Sequence, residues 1–411
     1  MSNGNSSRET QKRKLKRQVI DAAAEERTEG HFVLRRVLPV AVLLAVLIAA
    51  GIYFYFSYRV FDTLETVWEK ETQEDGGSAE SFRGYELFAK GFLRYSKDGA
   101  SYVNGDGRTI WERSYQMQNP IAAVNGNYAA IADQGAQSIY IFSDSANTGV
   151  ASTVLPVSRI TISRTGVVYA ILKDDRADYI TAFKADGSGI DLSIKSIITG
   201  DGYPIDIAVS PDGTELLTSY AAIENSQVVQ KVIFRNFDEV GKAADARRVV
   251  GGFTEEFDGH LVGRVNFSTN EYSQAYYDGG IAFFSTKVLT SPELLFRDEF
   301  EEEINSIAYS DKYVAVILNT NGGEMPYRLV IYKVNGGRLA ETLFNFAYTG
   351  FEIDGNEILL YNESGCRVYD IRGRERVSAD FPMQVSVMRK SGFPGEYLLG
   401  GQGRLMKVKM R

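Results

Sequence analysis

The stretch DIAVSPDGTELLTSY, residues 206–220, reads as two apolar alternating strands joined by a tight turn. Asp212-Gly213 supplies the positive φ that such a turn needs. The same pattern recurs on both sides of it. ELFAKGFLRYS begins at Glu86, IAAVNGNYAAIA at Ile121 and ITISRTGVVYAIL at Ile160. RVNFSTNEYSQAYY begins at Arg264, SIAYSDKYVAVIL at Ser306, FEIDGNEILLY at Phe351 and VSVMRKSGFPGEYLL at Val385. The starts fall on average about 43 residues apart, the length of one four-stranded propeller blade.

A further strand and turn follow several of these hairpins: YVNGDG (102–107), FKADG (183–187), YKVNG (332–336) and YDIRG (369–373). Each unit therefore reads as hairpin, third strand, turn, fourth strand. Residues 84–411 hold eight such units, so the expected fold is all-β, an eight-bladed β-propeller, with seven blades as the alternative. Two stacked sandwiches would leave the regular period unexplained. The last unit, ending in RLMKVKMR (404–411), is one strand short, and SFRGYEL (81–87) is expected to supply the missing strand and close the ring. The fourth unit carries an extra stretch, residues 238–259, with a short helix expected near Lys242–Arg248.

Ahead of the repeat, residues 37–58 (VLPVAVLLAVLIAAGIYFYFSY) carry no charge. As a helix they would span about 33 Å, enough for a bilayer core. Aromatics crowd one end where a signal peptide would need small residues, which favours an uncleaved single-pass anchor. Residues 1–36 hold nine Lys/Arg and five acids, and residues 59–411 have a net charge of −12. The positive-inside rule then puts the basic tail in the cytoplasm, the span in the plasma membrane and the propeller outside the cell. Val60, Leu64, Val67 and Trp68 fit one helical face, so residues 59–83 are expected to form a helical juxtamembrane stalk followed by a polar linker.

GDGYPIDIAVSPDG (200–213), VIFRNFDEVG (232–241), RRVVGGF (247–253) and YLLGG (397–401), with the basic tail before one anchor, resemble a bacterial family found chiefly in Clostridia-like Gram-positive bacteria. It comprises single-pass, membrane-anchored propellers with a domain of unknown function. The resemblance implies fold and topology and carries no catalytic residues. GRTIWERS (107–114) also resembles the strand of quinoprotein-like propellers whose tryptophan docks one blade on the next, which implies that role for Trp111.

Chemistry is sparse. No nucleotide-binding, zinc-protease or serine-hydrolase motif is present. With one cysteine, Cys366, and two histidines, neither a disulfide framework nor a Cys- or His-rich metal site can be built. Cys366 is expected to be a buried apolar residue and His260 a hydrogen-bonded structural one. No cofactor and no metal are expected. The acidic outer region excludes nucleic acid as a partner. The candidate ligand-facing loops are Glu255, Glu256 and Asp258, then Asp298 and Glu299, with Tyr272 as an aromatic contact. The expected role is a binding or scaffold module for an envelope protein or polymer. Two alternatives are a sensor signalling through stalk self-association and a glycan hydrolase or lyase using propeller carboxylates.

Overall fold

The computed structural model describes residues 14, 16, 42–48, 51, 59–71, 82–146, 148–224, 226–401 and 403–411. The chain divides into two units, Met1–Arg59 and Val60–Arg411. In the first, residues 42–48 are helical with exposed aliphatic side chains. No helix among the described residues is long and apolar enough to cross a membrane. Most of the expected 37–58 span lies outside the described residues.

The second unit is eight four-stranded antiparallel sheets. Blades 1 to 7 cover residues 82–114, 120–152, 157–197, 203–253, 262–299, 304–344 and 350–380. Each is a simple meander whose first strand lies innermost. The eight-bladed reading holds; seven of the eight hairpin starts fall on innermost strands, and Val385 lies two residues ahead of the eighth.

Blade 8 combines Val387–Lys390, Glu396–Gly401 and Arg404–Met410 with Leu64–Glu71 as its outermost strand. This corrects two expectations. SFRGYEL does not close the ring, because Phe82–Phe88 is the innermost strand of blade 1. Nor is 59–72 a helical stalk, because Leu64–Glu71 runs antiparallel to the last strand from Leu64↔Met410 to Glu71↔Arg404. The misreading has a physical source. A spacing of four residues satisfies a helix period of 3.6 and a strand period of 2 alike. A bulge between Thr66 and Trp68 shifts the alternation and leaves Val67 exposed. The propeller therefore begins at Phe61, and the polar segment after Glu71 joins blade 8 to blade 1.

The closure is a clasp on two blades. Phe61, buried, forms a parallel bridge with Val377 of blade 7, donating its N–H to Arg376 O at 2.9 Å and accepting from Ser378 N at 2.9 Å. Arg411 N donates to Thr63 O at 3.0 Å, and Arg411 and Arg404 pair with Glu65 (2.8 Å) and Glu69 (3.1 Å).

The core lies between blades. Eight apolar clusters each draw on two consecutive blades, as the two buried faces of every blade require. Trp111 plays its expected part: its indole N–H donates to Ser143 O of blade 2 at 3.0 Å, and its ring stacks on Phe142 at 4.9 Å. Among the described residues the seam between blades 8 and 1 is the thinnest, with five buried residues where the others have eight to twelve. Trp68 of the closing strand packs on it.

The turn between the third and fourth strands of several blades lies across the outer strand of the blade before. Gly187 (φ 85°) sits so close to Val150 that a Cβ would overlap its carbonyl. Gly107 (φ 74°) makes the same contact with the closing strand: a Cβ there would lie 3.0 Å from Trp68 and from Lys70. The blade 4 insertion holds a short helix, Glu239–Ala244, capped by Asp238 and slightly earlier than expected. The rest of the stretch supplies the fourth strand, Val249–Phe253, and a 3-10 turn, Glu255–Phe257.

Candidate functional site

The innermost strands surround a central channel, and a cavity of about 410 Å³ runs along it, lined by strands of blades 1 to 6. Five of the inner strands break register near their start, between Phe82/Gly84, Val157/Arg159, Pro204/Asp206, Val262/Arg264 and Ile304/Ser306. A bulge re-aims the residue that follows it. On blades 3, 4 and 5 that residue is charged: Arg159, Asp206, Arg264.

Asp206 lies between the two guanidiniums, 3.7 Å from Arg159 and 3.9 Å from Arg264, and accepts Val265 N at 3.0 Å. Asp206 is buried, whereas the arginine side chains are 41% and 60% exposed, so their remaining donors face the lumen. Burial pushes the Asp206 carboxyl up, and Arg264, the Val265 N–H and Arg159 oppose that shift.

The inner strands of blades 1 and 7 carry carboxyls: Glu86 lines the cavity, and Glu352 acts electrostatically on Glu86 and Tyr309. Glu86 of blade 1 and Glu352 of blade 7 have neither a hydrogen bond nor an ion pair among the described residues. Burial pushes Glu86 up to about 7. Glu352 rises to about 8, through burial first and then the charges of Glu86 and Asp354, with Arg389 opposing. Tyr309 of blade 6 stands with its side chain open to the cavity, its phenol raised by burial and within electrostatic reach of Arg264, Asp206, Glu86 and Glu352.

A second cavity, about 650 Å³, opens at the seam between blades 8 and 1 beside Lys90, Asp144, Arg389, Phe393 and Lys407. Arg389 stitches this seam, donating to Ala89 O at 3.1 Å and Gly91 O at 2.7 Å.

The loop residues singled out from sequence do not reach the channel. Glu255 and Glu256 form the 3-10 turn between blades 4 and 5, and Glu256 accepts Thr254 N at 3.1 Å. Asp258 is exposed beside it. Asp298 accepts the Tyr332 hydroxyl at 2.6 Å, Glu299 pairs with Arg297 at 2.8 Å, and Lys287 lies 5.2 Å over the Tyr272 ring. His260 Nδ1 lies 2.9 Å from Asp278 Oδ1. Cys366 is buried, which pushes its thiol up to about 12.

Sequence reasoning passed over Glu86, Arg159, Asp206, Arg264, Tyr309 and Glu352. The signal was a charge placed inside the first, otherwise apolar, strand of a hairpin, as in VSRITI or PIDIAV. That strand is the one that faces the channel.

The ring of blades around a charged lumen defines this chain as an eight-bladed β-propeller. It belongs to a family of unknown function, DUF5711, whose model matches residues 57–410 and so includes the closing strand. Among solved structures it is similar to the computationally designed Ika8 protein (TM-score 0.53, 12% identity, 83% of this chain and 100% of that one). It is also similar to apo AztD from Citrobacter koseri (TM-score 0.51, 10% identity, 74% and 86%). These likenesses establish the fold alone. The comparison with curated proteins found no match.

Proposed function

We propose that this propeller is a binding or scaffold module, held at the plasma membrane by residues 37–58 with its N-terminal tail in the cytoplasm, and that it engages an envelope protein or polymer outside the cell. The observation that carries the reading is the sorting of charge between loop sets. Among the described residues, the turns between second and third strands and the links between blades hold thirteen carboxylates against three Lys/Arg. The turns between first and second strands hold three of each. Antiparallel meanders put these two sets at opposite mouths of the ring. One mouth is therefore strongly acidic, and complementary charge steers association and suppresses wrong partners. Its acids include Glu255, Glu256 and Asp258 and the run Glu301–Glu303. The partner suited to it carries cationic groups.

In-cell crosslinking of the full chain, followed by purification, tests this. A reproducible envelope component that is lost when Glu255, Glu256 and Asp258 become Gln, Gln and Asn supports the reading. Recovery unchanged by those substitutions, or by raised salt, removes the acidic mouth as the contact. The sensor alternative is weakened by the clasp: Leu64 and Trp68 pack into the propeller and are not free to pair stalks.

A further inference from the structure

The channel carries an inference that does not depend on the outer loops. Eight blades in a ring place blade 4 opposite blade 8. Asp206 of blade 4 is flanked by Arg159 on blade 3 and Arg264 on blade 5, so that side presents two guanidiniums around one carboxylate. Blade 8 is flanked by Glu86 on blade 1 and Glu352 on blade 7. The lumen is thus cationic on one side and carboxylic on the other, with Tyr309 between them on blade 6. Blade 2 contributes only uncharged residues to the wall, Ile121 to Asn125.

A charge enclosed without a partner is costly, and fixed groups inside a cavity act through a weaker dielectric than water. Among the described residues, Arg159 and Arg264 have no side-chain partner beyond Asp206, and the carboxylates of Glu86 and Glu352 have none. We propose that the channel binds a small zwitterion of the amino acid type, its anionic end on Arg159 and Arg264 and its cationic end on Glu86 and Glu352. Guanidinium–carboxylate and ammonium–carboxylate bonds are the stronger, charge-assisted kind. Tyr309 donates to the anionic end. At least one of the two glutamates must ionise to receive a cation, so binding at neutral pH releases protons, in keeping with their raised affinities for them.

The test uses the full chain in mild detergent and calorimetric titration with ω-amino acids of graded length, from glycine to 8-aminooctanoate. Butyrate, hexanoate, butylamine and hexylamine serve as single-charge controls. One chain length should bind best, at least about tenfold more tightly than the acid and the amine of matched length. Binding should release protons, read as a heat that varies with the ionisation enthalpy of the buffer. Arg264→Gln and Glu352→Gln should each weaken binding at least about tenfold with the circular dichroism unchanged. Equal affinity for the matched acid overturns the zwitterion and leaves an anion site. The absence of millimolar binding by any length to the unaltered protein overturns the site outright, and that outcome needs no variant to fold.

Discussion

Arg164 Nη2 and Asp311 Oδ2 lie 3.9 Å apart, although blades 4 and 5 stand between the blades that carry them. Both sit in turns between first and second strands, so the pair crosses the mouth of the channel away from the acidic links. Arg164 is anchored there, donating its backbone N–H to Pro211 O at 2.9 Å and its Nε–H to Asn125 Oδ1 at 3.3 Å. Each partner is half exposed, and such pairs contribute about 0–1 kcal/mol. Asp311→Ala should therefore leave the urea midpoint almost unmoved. If it costs more, the mouth is more rigidly tied than this geometry implies.

The clasp should matter far more. Phe61→Ala empties a buried aromatic site at the edge of blade 7, and such truncations cost about 3–5 kcal/mol. Loss of the whole strand 64–71 would bare the edge of Arg404–Met410 and leave the thin blade 8–1 seam without Trp68. The shortened chain should unfold in more than one step and aggregate at concentrations where the full chain does not. A single cooperative transition at the original midpoint would mean that blade 8 stands without its fourth strand.

Trp111 and Trp68 are the only tryptophans. Trp111→Phe keeps the stack on Phe142 and removes the bond to Ser143 O, so it should cost about 1 kcal/mol. Trp111→Ala should cost about 3–5 kcal/mol. Chemical denaturation followed by circular dichroism measures both. Trp111 is buried, so the blue-shifted part of the emission should vanish in either variant.

Stability should fall as pH rises through the neutral range. Glu86 and Glu352 hold their protons to about 7 and 8 in the fold, against 4.5 unfolded. Between these values the folded state binds more protons than the unfolded one, so unfolding free energy decreases with pH there, and the contribution of these two groups is complete above about 8. Glu352→Gln removes part of that slope. Its midpoint should gain on the unaltered protein between pH 5 and pH 9, and a parallel pair of curves would show that the carboxyl is not enclosed.

Much of the fold was legible because each hairpin carries its own alternation and its own tight turn, often with Gly as at Asp212-Gly213. Those signals are local. The blade count followed from their period, and the docking role of Trp111 from a resemblance that its contacts with Ser143 and Phe142 bear out. Closure was not legible, because LETVWEKE pairs with a strand more than 300 residues away and its spacing suits a helix equally well. The channel groups were missed for a related reason. Glu86 and Arg264 look like stray charges in separate strands until the ring brings their inner edges together, whereas Glu255 and Glu299 attracted notice by clustering along the chain.

The strand that completes blade 8 is made first and its partner last. A ribosome must deliver every residue up to Met410 before Leu64–Glu71 has anything to pair with. Loop closure over that distance is entropically dear and slow. Until then the early strand's backbone groups are left to water, while the first seven blades can stack. Chain order thus makes ring completion wait on the last strand of blade 8, and the seam a place where assembly factors or proteases would meet the unfinished ring.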